Sequence, residues 1–151
     1  MIQRYGALAL FLLLTLGGGL LIGSVTETGG WYDSLEKPWF NPPPIAFPIA
    51  WTTLYVLIAI AGWRVWRAGL TTALGLWAAQ LLLNFAWTPT FFVAHQILAA
   101  LVIVLTLLGT ILAFLGAVRG RDRVAYLCFV PYAAWVAFAS LLNGSILWLN
   151  G

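Results

Sequence analysis

Trp77, Gln80, Asn84, Trp87 and Phe91 recur at intervals of three and four residues, so on a helix they share one face. Tyr132, Trp135, Ala139 and Asn143 repeat the arrangement, and Trp51, Tyr55, Ile58 and Gly62 form a third stripe. The chemistry open to such faces is recognition. Indole and phenol rings stack on a flat, conjugated, mostly apolar molecule, and a few amides orient it. Alanine at 139 leaves space between an aromatic ring and an amide. A second reading competes for the amides: Gln80 and Asn84 as interhelical hydrogen-bonding groups, worth about 0.6–2 kcal/mol each.

Other chemistries lack their residues. The sequence holds no HExxH, no nucleophile–base pair and no carboxylate dyad, which excludes ordinary hydrolysis. Cys128 is the sole cysteine, so neither an intramolecular disulfide nor a cysteine-based metal cluster can form. No phosphate-binding loop is present, and Glu27, Asp33, Glu36 and Asp122 all lie between apolar runs. A proton-driven pump therefore lacks its usual intramembrane acid.

The elements that position the stripes are set by hydropathy. Of 151 residues, 63% are apolar and 7% charged, with a mean hydropathy of +0.99; soluble domains carry about 25% charged residues. Five runs, 5–25, 45–66, 70–93, 97–118 and 124–149, are nearly free of charge and long enough to span a bilayer. Backbone groups in hydrocarbon must pair within their own segment, and strand-like alternation is absent, so the spans should be helices. The first run exceeds a signal-peptide core and lacks a small-x-small cleavage site, and reads as a retained helix. The expected fold is all-α: an integral membrane bundle of five transmembrane helices, one domain over 1–151, with a long first loop at 26–44.

An odd number of antiparallel spans puts Arg4, Arg64, Arg67, Arg119, Arg121 and Arg123 on one side, and Lys37 with Glu27, Asp33 and Glu36 on the other. In an inner or plasma membrane that places the N-terminus and the arginine-rich loops in the cytoplasm; a bacterial outer membrane stays open, and there the rule does not apply. The pI near 9.4 thus reflects topology, and the scattered arginines offer no nucleic-acid surface. Trp63, Trp66, Trp39 and Trp148 read as interfacial belt residues. The fourth run, with only Thr106 and Thr110 as polar groups, reads as a wall. Small-xxx-small pairs at Gly19/Gly23, Gly75/Ala79 and Gly109/Ala113 permit close helix contact; a homodimer using the third span is expected.

The first loop contains WYDSLEKPWFNPPPIAFP at 31–48. Consecutive prolines stiffen it and cannot continue a helix. It can hold Trp39 and Phe40 as a lid over a pocket mouth, with Asp33, Glu36 and Lys37 at the water boundary. The alternative is a rigid connector that sets the tilt of the second span.

Four motifs together resemble one family: W-Y-x-x-L-x-K-P-x-x-x-P-P at 31–43, P-x-A-W at 48–51, Q-L-x-L-N-x-x-W-x-P-x-F-F at 80–92, and V-P-Y-x-x-W-x-x-F-A at 130–139 followed by Leu142-Asn143. They resemble the TspO family of tryptophan-rich sensory proteins, similar to the mitochondrial translocator protein, over essentially the whole chain. The resemblance implies a five-helix bundle, usually dimeric, that binds porphyrins such as protoporphyrin IX and haem between the helices beneath the first loop, with no obligatory cofactor. It implies pocket roles for Tyr32, Trp51, Asn84, Trp87, Phe91, Trp135, Ala139, Leu142 and Asn143. The family's two tryptophans linked to light-driven porphyrin breakdown fall on Trp51 and Trp135. The resulting expectation is a tetrapyrrole-binding membrane sensor or regulator, with a porphyrin transporter and a light-dependent porphyrin-degrading protein as alternatives. Two departures stand out. The cholesterol-recognition pattern of mitochondrial members, a tyrosine and then a lysine or arginine, is missing from GSILWLNG at 144–151. His95 stands where some relatives carry arginine; no metal site is expected, although a neutral imidazole makes His95 a weak haem-ligand candidate.

Overall fold

The computed structural model describes residues 2–24, 29–43 and 45–150, and the regular elements among them are all helical. Helix α1 runs Ile2–Leu12, passes through a π-helical turn at Leu13–Gly17 and ends as Gly18–Ser24. A short helix α2 spans Gly29–Ser34, and α3 spans Ala46–Arg67. Helix α4 runs Thr71–Thr88 and continues as a π-helical turn at Pro89–Val93; α5 covers Ile97–Val118 and α6 Arg123–Asn150. Segments 5–23, 46–67, 97–118 and 123–150 are long and apolar enough to cross a membrane, and α4, with no charged residue, completes the five-helix bundle.

A short helix, α2, occupies part of the first loop. Asn41 to Pro43 are non-helical, as missing proline N–H groups require; Glu27 and Pro44 lie outside the described residues. The π-helical turn of α4 has the same physical origin. Pro89 cannot donate to the carbonyl four residues back, and the ladder re-forms with a longer step, Ala94 N–H donating to the Pro89 carbonyl at 2.9 Å. Pro131, inside α6, leaves that helix continuous.

Helix α6 packs against α3 and α5, α4 against α5 and α3, and α1 against α3 with its C-terminal half also touching α4. The helices therefore close a ring in the order α1–α3–α6–α5–α4. Two glycines set close approaches. A Cβ on Gly19 would overlap the Tyr55 ring and one on Gly62 the Trp77 indole, so α1 and α4 can seat against α3 only with glycine there. By contrast Gly75 and Gly109 face open space. Thr15 is fully buried and donates to the Tyr55 carbonyl at 2.9 Å, tying α1 to α3.

Contacts at the two ends agree with antiparallel neighbours. Arg64 of α3 meets Asp122 at 3.3 Å, and Asp122 Oδ1 caps α6 by accepting the Ala125 N–H at 2.9 Å. At the other end the first loop meets the α4–α5 turn and the end of α6. Thr106 and Thr110 bond back to the carbonyls four residues earlier, and the outward face of α5, including Leu98, Val102, Leu105 and Leu112, is exposed. That is the wall read from the sequence, with its apolar side turned to lipid. Trp63 corrects one expectation. It is buried, stacks on Tyr5 of α1 at 6.3 Å and lies under the Arg67 guanidinium, whereas Trp66 is exposed as a belt residue should be.

Candidate functional site

All five residues of the α4 stripe, Trp77, Gln80, Asn84, Trp87 and Phe91, are buried. The α6 stripe follows: Tyr132, Ala139 and Asn143 are buried and Trp135 is half-buried. The two stripes meet across the bundle interior through hydrogen bonds. Tyr55 Oη donates to Asn84 Oδ1 at 2.8 Å, Asn84 Nδ2 donates to Tyr132 Oη at 2.7 Å, and Tyr132 Oη donates to Gln80 Oε1 at 2.7 Å. Nearer the first loop, Trp87 Nε1 donates to Asn143 Oδ1 at 3.0 Å and Asn143 Nδ2 to the Ile97 carbonyl at 3.1 Å. Trp77 Nε1 reaches the Ile58 carbonyl at 2.8 Å. Interhelical bonding, the competing reading of Gln80 and Asn84, is thus realised for the Gln80 carbonyl and for Asn84, and Asn143 bonds across helices as well. Among the described residues two buried donors stay unpaired: Gln80 Nε2 and Trp135 Nε1.

Above this polar layer the aromatic rings converge. Trp51 is the hub, with ring centroids 5.7 Å from Tyr55, 6.4 Å from Trp87 and 6.3 Å from Trp135. Three helices thereby bring three tryptophans into contact, in tilted and edge-to-face geometries that suit aromatic quadrupoles. The chain of rings continues from Trp87 to Phe91, and Tyr32 of the first loop packs over Phe91 and Phe92 at 6.2 and 5.4 Å. Leu142 and Ala139 complete the buried α6 face.

The first loop closes this end. Tyr32 Oη bonds Asn41 Oδ1 at 3.1 Å. Burial pushes its hydroxyl pKa up, against the Asn41 hydrogen bond and helped by the Asp33 charge. Asn150 clamps the loop backbone by accepting from Glu36 N–H at 2.9 Å and donating to the Glu36 carbonyl at 2.8 Å. Phe40 turns inward against Phe138 at 6.1 Å, while Trp39 is 95% exposed and touches Phe40 edge-on. His95, with φ +55°, stacks on Trp31 at 4.1 Å and 8°. Among the described residues no three His, Cys, Asp or Glu side chains cluster as metal ligands.

Sequence reasoning passed over several ring partners. Phe47 and Phe138 flank Trp135 at 5.9 and 5.6 Å; Phe47 lies four residues before Trp51 and Phe138 three after Trp135, so the helical period contained the signal. The Trp31–His95 stack joins residues far apart in the chain, and no local pattern announces it.

The family model for the TspO/MBR family matches residues 10–149, which include every residue just described at the ring cluster. The chain belongs to the TspO/MBR family. Within it, the chain is 39% identical over 145 residues to a tryptophan-rich sensory protein of Cereibacter sphaeroides, covering 95% of this chain and 92% of the relative. It is 39% identical to protein CrtK of Rhodobacter capsulatus, covering 85% and 83%, and 38% identical to the translocator protein of Bos taurus, covering 88% and 83%. TspO/MBR membership and the long apolar helices make this an integral membrane protein.

Proposed function

We propose that this TspO/MBR protein binds a tetrapyrrole of the porphyrin or haem type between its helices and acts as a membrane sensor or regulator. The observation that carries the reading is the convergence of Trp51, Trp87 and Trp135 from three helices beneath a clamped loop. A flat macrocycle gains by replacing ring–ring contacts with stacking on its own faces, about 0.5–1.5 kcal/mol for each aromatic partner beyond simple burial. The unpaired Trp135 N–H supports the same reading, because a buried donor without an acceptor costs about 1–3 kcal/mol. A ligand carboxylate, carbonyl or ring nitrogen relieves that cost.

In this proposal Trp51, Trp87, Phe91 and Trp135 stack on the ligand, Tyr32 and Phe40 cover it, and Ala139 and Leu142 leave it room. Asn84 and Asn143 act chiefly by holding Tyr55, Tyr132 and Trp87 in place. Trp51 and Trp87 already touch, so entry requires the loop to lift, with Trp39 on its outer side. The N-terminus faces the cytoplasm if the protein resides in an inner membrane, and Gly75/Ala79, on an open face of α4, is the surface offered for a homodimer.

The test is a titration with protoporphyrin IX, dark and illuminated, read by absorption and tryptophan fluorescence. Saturable quenching weakened about tenfold by Trp51→Phe/Trp135→Phe, a loss of about 1.4 kcal/mol, supports the pocket; non-saturating quenching that the double variant leaves unchanged overturns it. Contact between Trp51 and Trp135 also favours a second reading, porphyrin breakdown in light and oxygen, with these indoles as electron donors to the photoexcited macrocycle and molecular oxygen as the oxidant. A new absorption band that needs both light and these tryptophans distinguishes it from binding. Porphyrin flux into sealed vesicles distinguishes transport from both.

A further inference from the structure

Outside the ring cluster, a groove of about 670 Å³ runs between the first loop and the outer face of α6. Leu141, Gly144, Ser145 and Trp148 form its α6 wall, and Lys37 to Trp39 its loop wall. The α6 residues sit at the i, i+3, i+4, i+7 spacing of one helix face, opposite in role to the stripe that meets α4. Leu141, Trp148 and Trp39 are all well exposed. We propose that this groove binds a phospholipid, with an acyl chain along α6 and the phosphate on the Lys37 ammonium. The inference is independent of the tetrapyrrole reading.

Three observations favour this occupant. First, Lys37 is half-buried at the groove rim and, among the described residues, has no carboxylate within ion-pair distance. Its ammonium donates to the Leu35 carbonyl at 3.1 Å and lies 4.6 Å over the Tyr32 ring; an ammonium has three donors, which leaves capacity for phosphate oxygens. Second, the cation is held in place, because the preceding residue, Glu36, is clamped through both backbone groups by Asn150. Third, the groove lies at the loop end of a membrane-spanning helix, where exposed tryptophans mark the interface between acyl chains and headgroups. An inorganic phosphate would use the charge and leave the apolar wall bare; a neutral lipid would use the wall and leave the charge unmet. Asp33 and Glu36 are exposed and do not line the groove.

The test is native mass spectrometry of the delipidated full chain with dioleoyl phosphatidylglycerol, with dioleoylglycerol (the same chains without phosphate) and with glycerol phosphate. The expected result is one retained phosphatidylglycerol per chain and weak retention of the other two. Lys37→Gln should weaken retention about fivefold, as loss of one basic contact near a lipid phosphate implies, and Ser145→Trp should block it by filling the groove. Both variants should keep the parent's thermal unfolding midpoint, which separates loss of the site from loss of the fold. Equal retention of dioleoylglycerol, or a Lys37→Gln variant that binds like the parent, overturns the proposal. So does efficient disulfide crosslinking of two Ser145→Cys chains in bilayers, which would give the groove to a second copy.

Discussion

Tyr132 is the residue on which the polar layer turns, and Tyr132→Phe is the perturbation that tests it. The side chain is fully buried, accepts from Asn84 Nδ2 and donates to Gln80 Oε1, both at 2.7 Å. Removing one oxygen creates almost no cavity, but it strips a partner from two buried amides. Gln80 already has an unpaired Nε2, so its whole side chain would become unsatisfied in a fully enclosed position. Membrane interhelical hydrogen bonds average about 0.6 kcal/mol, with a maximum near 1.7 kcal/mol, since the unfolded chain in lipid also finds partners. Two such bonds give an expected loss of about 1–3 kcal/mol. A dodecyl sulfate titration in mixed micelles, followed by tryptophan fluorescence, reads this as an earlier midpoint with an unchanged slope. Asn84→Leu alone should cost a similar amount, and the double variant should cost clearly less than the sum, because the two share the 2.7 Å bond. Strict additivity within about 0.3 kcal/mol, or a Tyr132→Phe protein as stable as the parent, would refute the argument that this network joins α4 to α6.

Gly19→Ala should destabilise by about 1–3 kcal/mol through overpacking against Tyr55, whereas Gly75→Ala, facing open space, should be neutral or stabilising by up to about 1 kcal/mol; the same titration compares them. Asp122→Ala should cost about 1 kcal/mol as the α6 cap is lost, and amide exchange should rise first at the start of α6. Asn150→Leu should raise amide exchange at Glu36, whose N–H loses its acceptor, with little change in the α3–α6 core. Burial holds the Tyr32 hydroxyl pKa above its ordinary value of 10.0, so the neutral form favours the docked loop. That contribution is complete below about pH 10 and is lost as pH rises through the elevated pKa; ultraviolet difference spectra should show a late-titrating tyrosine that Tyr32→Phe abolishes.

Much of the architecture was legible because the bilayer imposes it. Lengths of apolar runs gave the spans to within a few residues, and the three- and four-residue spacing of Trp77, Gln80, Asn84, Trp87 and Phe91 picked out a face that is buried throughout. Polar and aromatic side chains leave the lipid together, so a stripe of them marks the interior. What spacing could not give is pairing. Gln80 and Asn84 read equally as ligand-orienting amides or as helix-joining ones, and only the distances to Tyr55 and Tyr132 show that Asn84 and the Gln80 carbonyl are taken. Trp63 misled for a related reason. Its neighbours Arg64 and Arg67 argued for the interface, but Tyr5, from another helix, covers it.

The first loop joins these lines of reasoning. A connector that only set the tilt of α3 would need stiffness, which Pro42 and Pro43 supply, yet it would need no contact with the far helices. This loop touches α4, the α4–α5 turn and α6 at one end: Tyr32 on the end of α4, Trp31 on His95 in the turn, Phe40 on α6, and Glu36 on the last residue of α6. Each contact is small, a ring pair or two hydrogen bonds, worth about a kilocalorie or so. A cover held by several weak, spatially separate contacts opens in parts at modest cost, whereas one held by a single buried core does not open short of unfolding. Such an attachment suits the lid we propose, over the tilted and edge-to-face tryptophans beneath it.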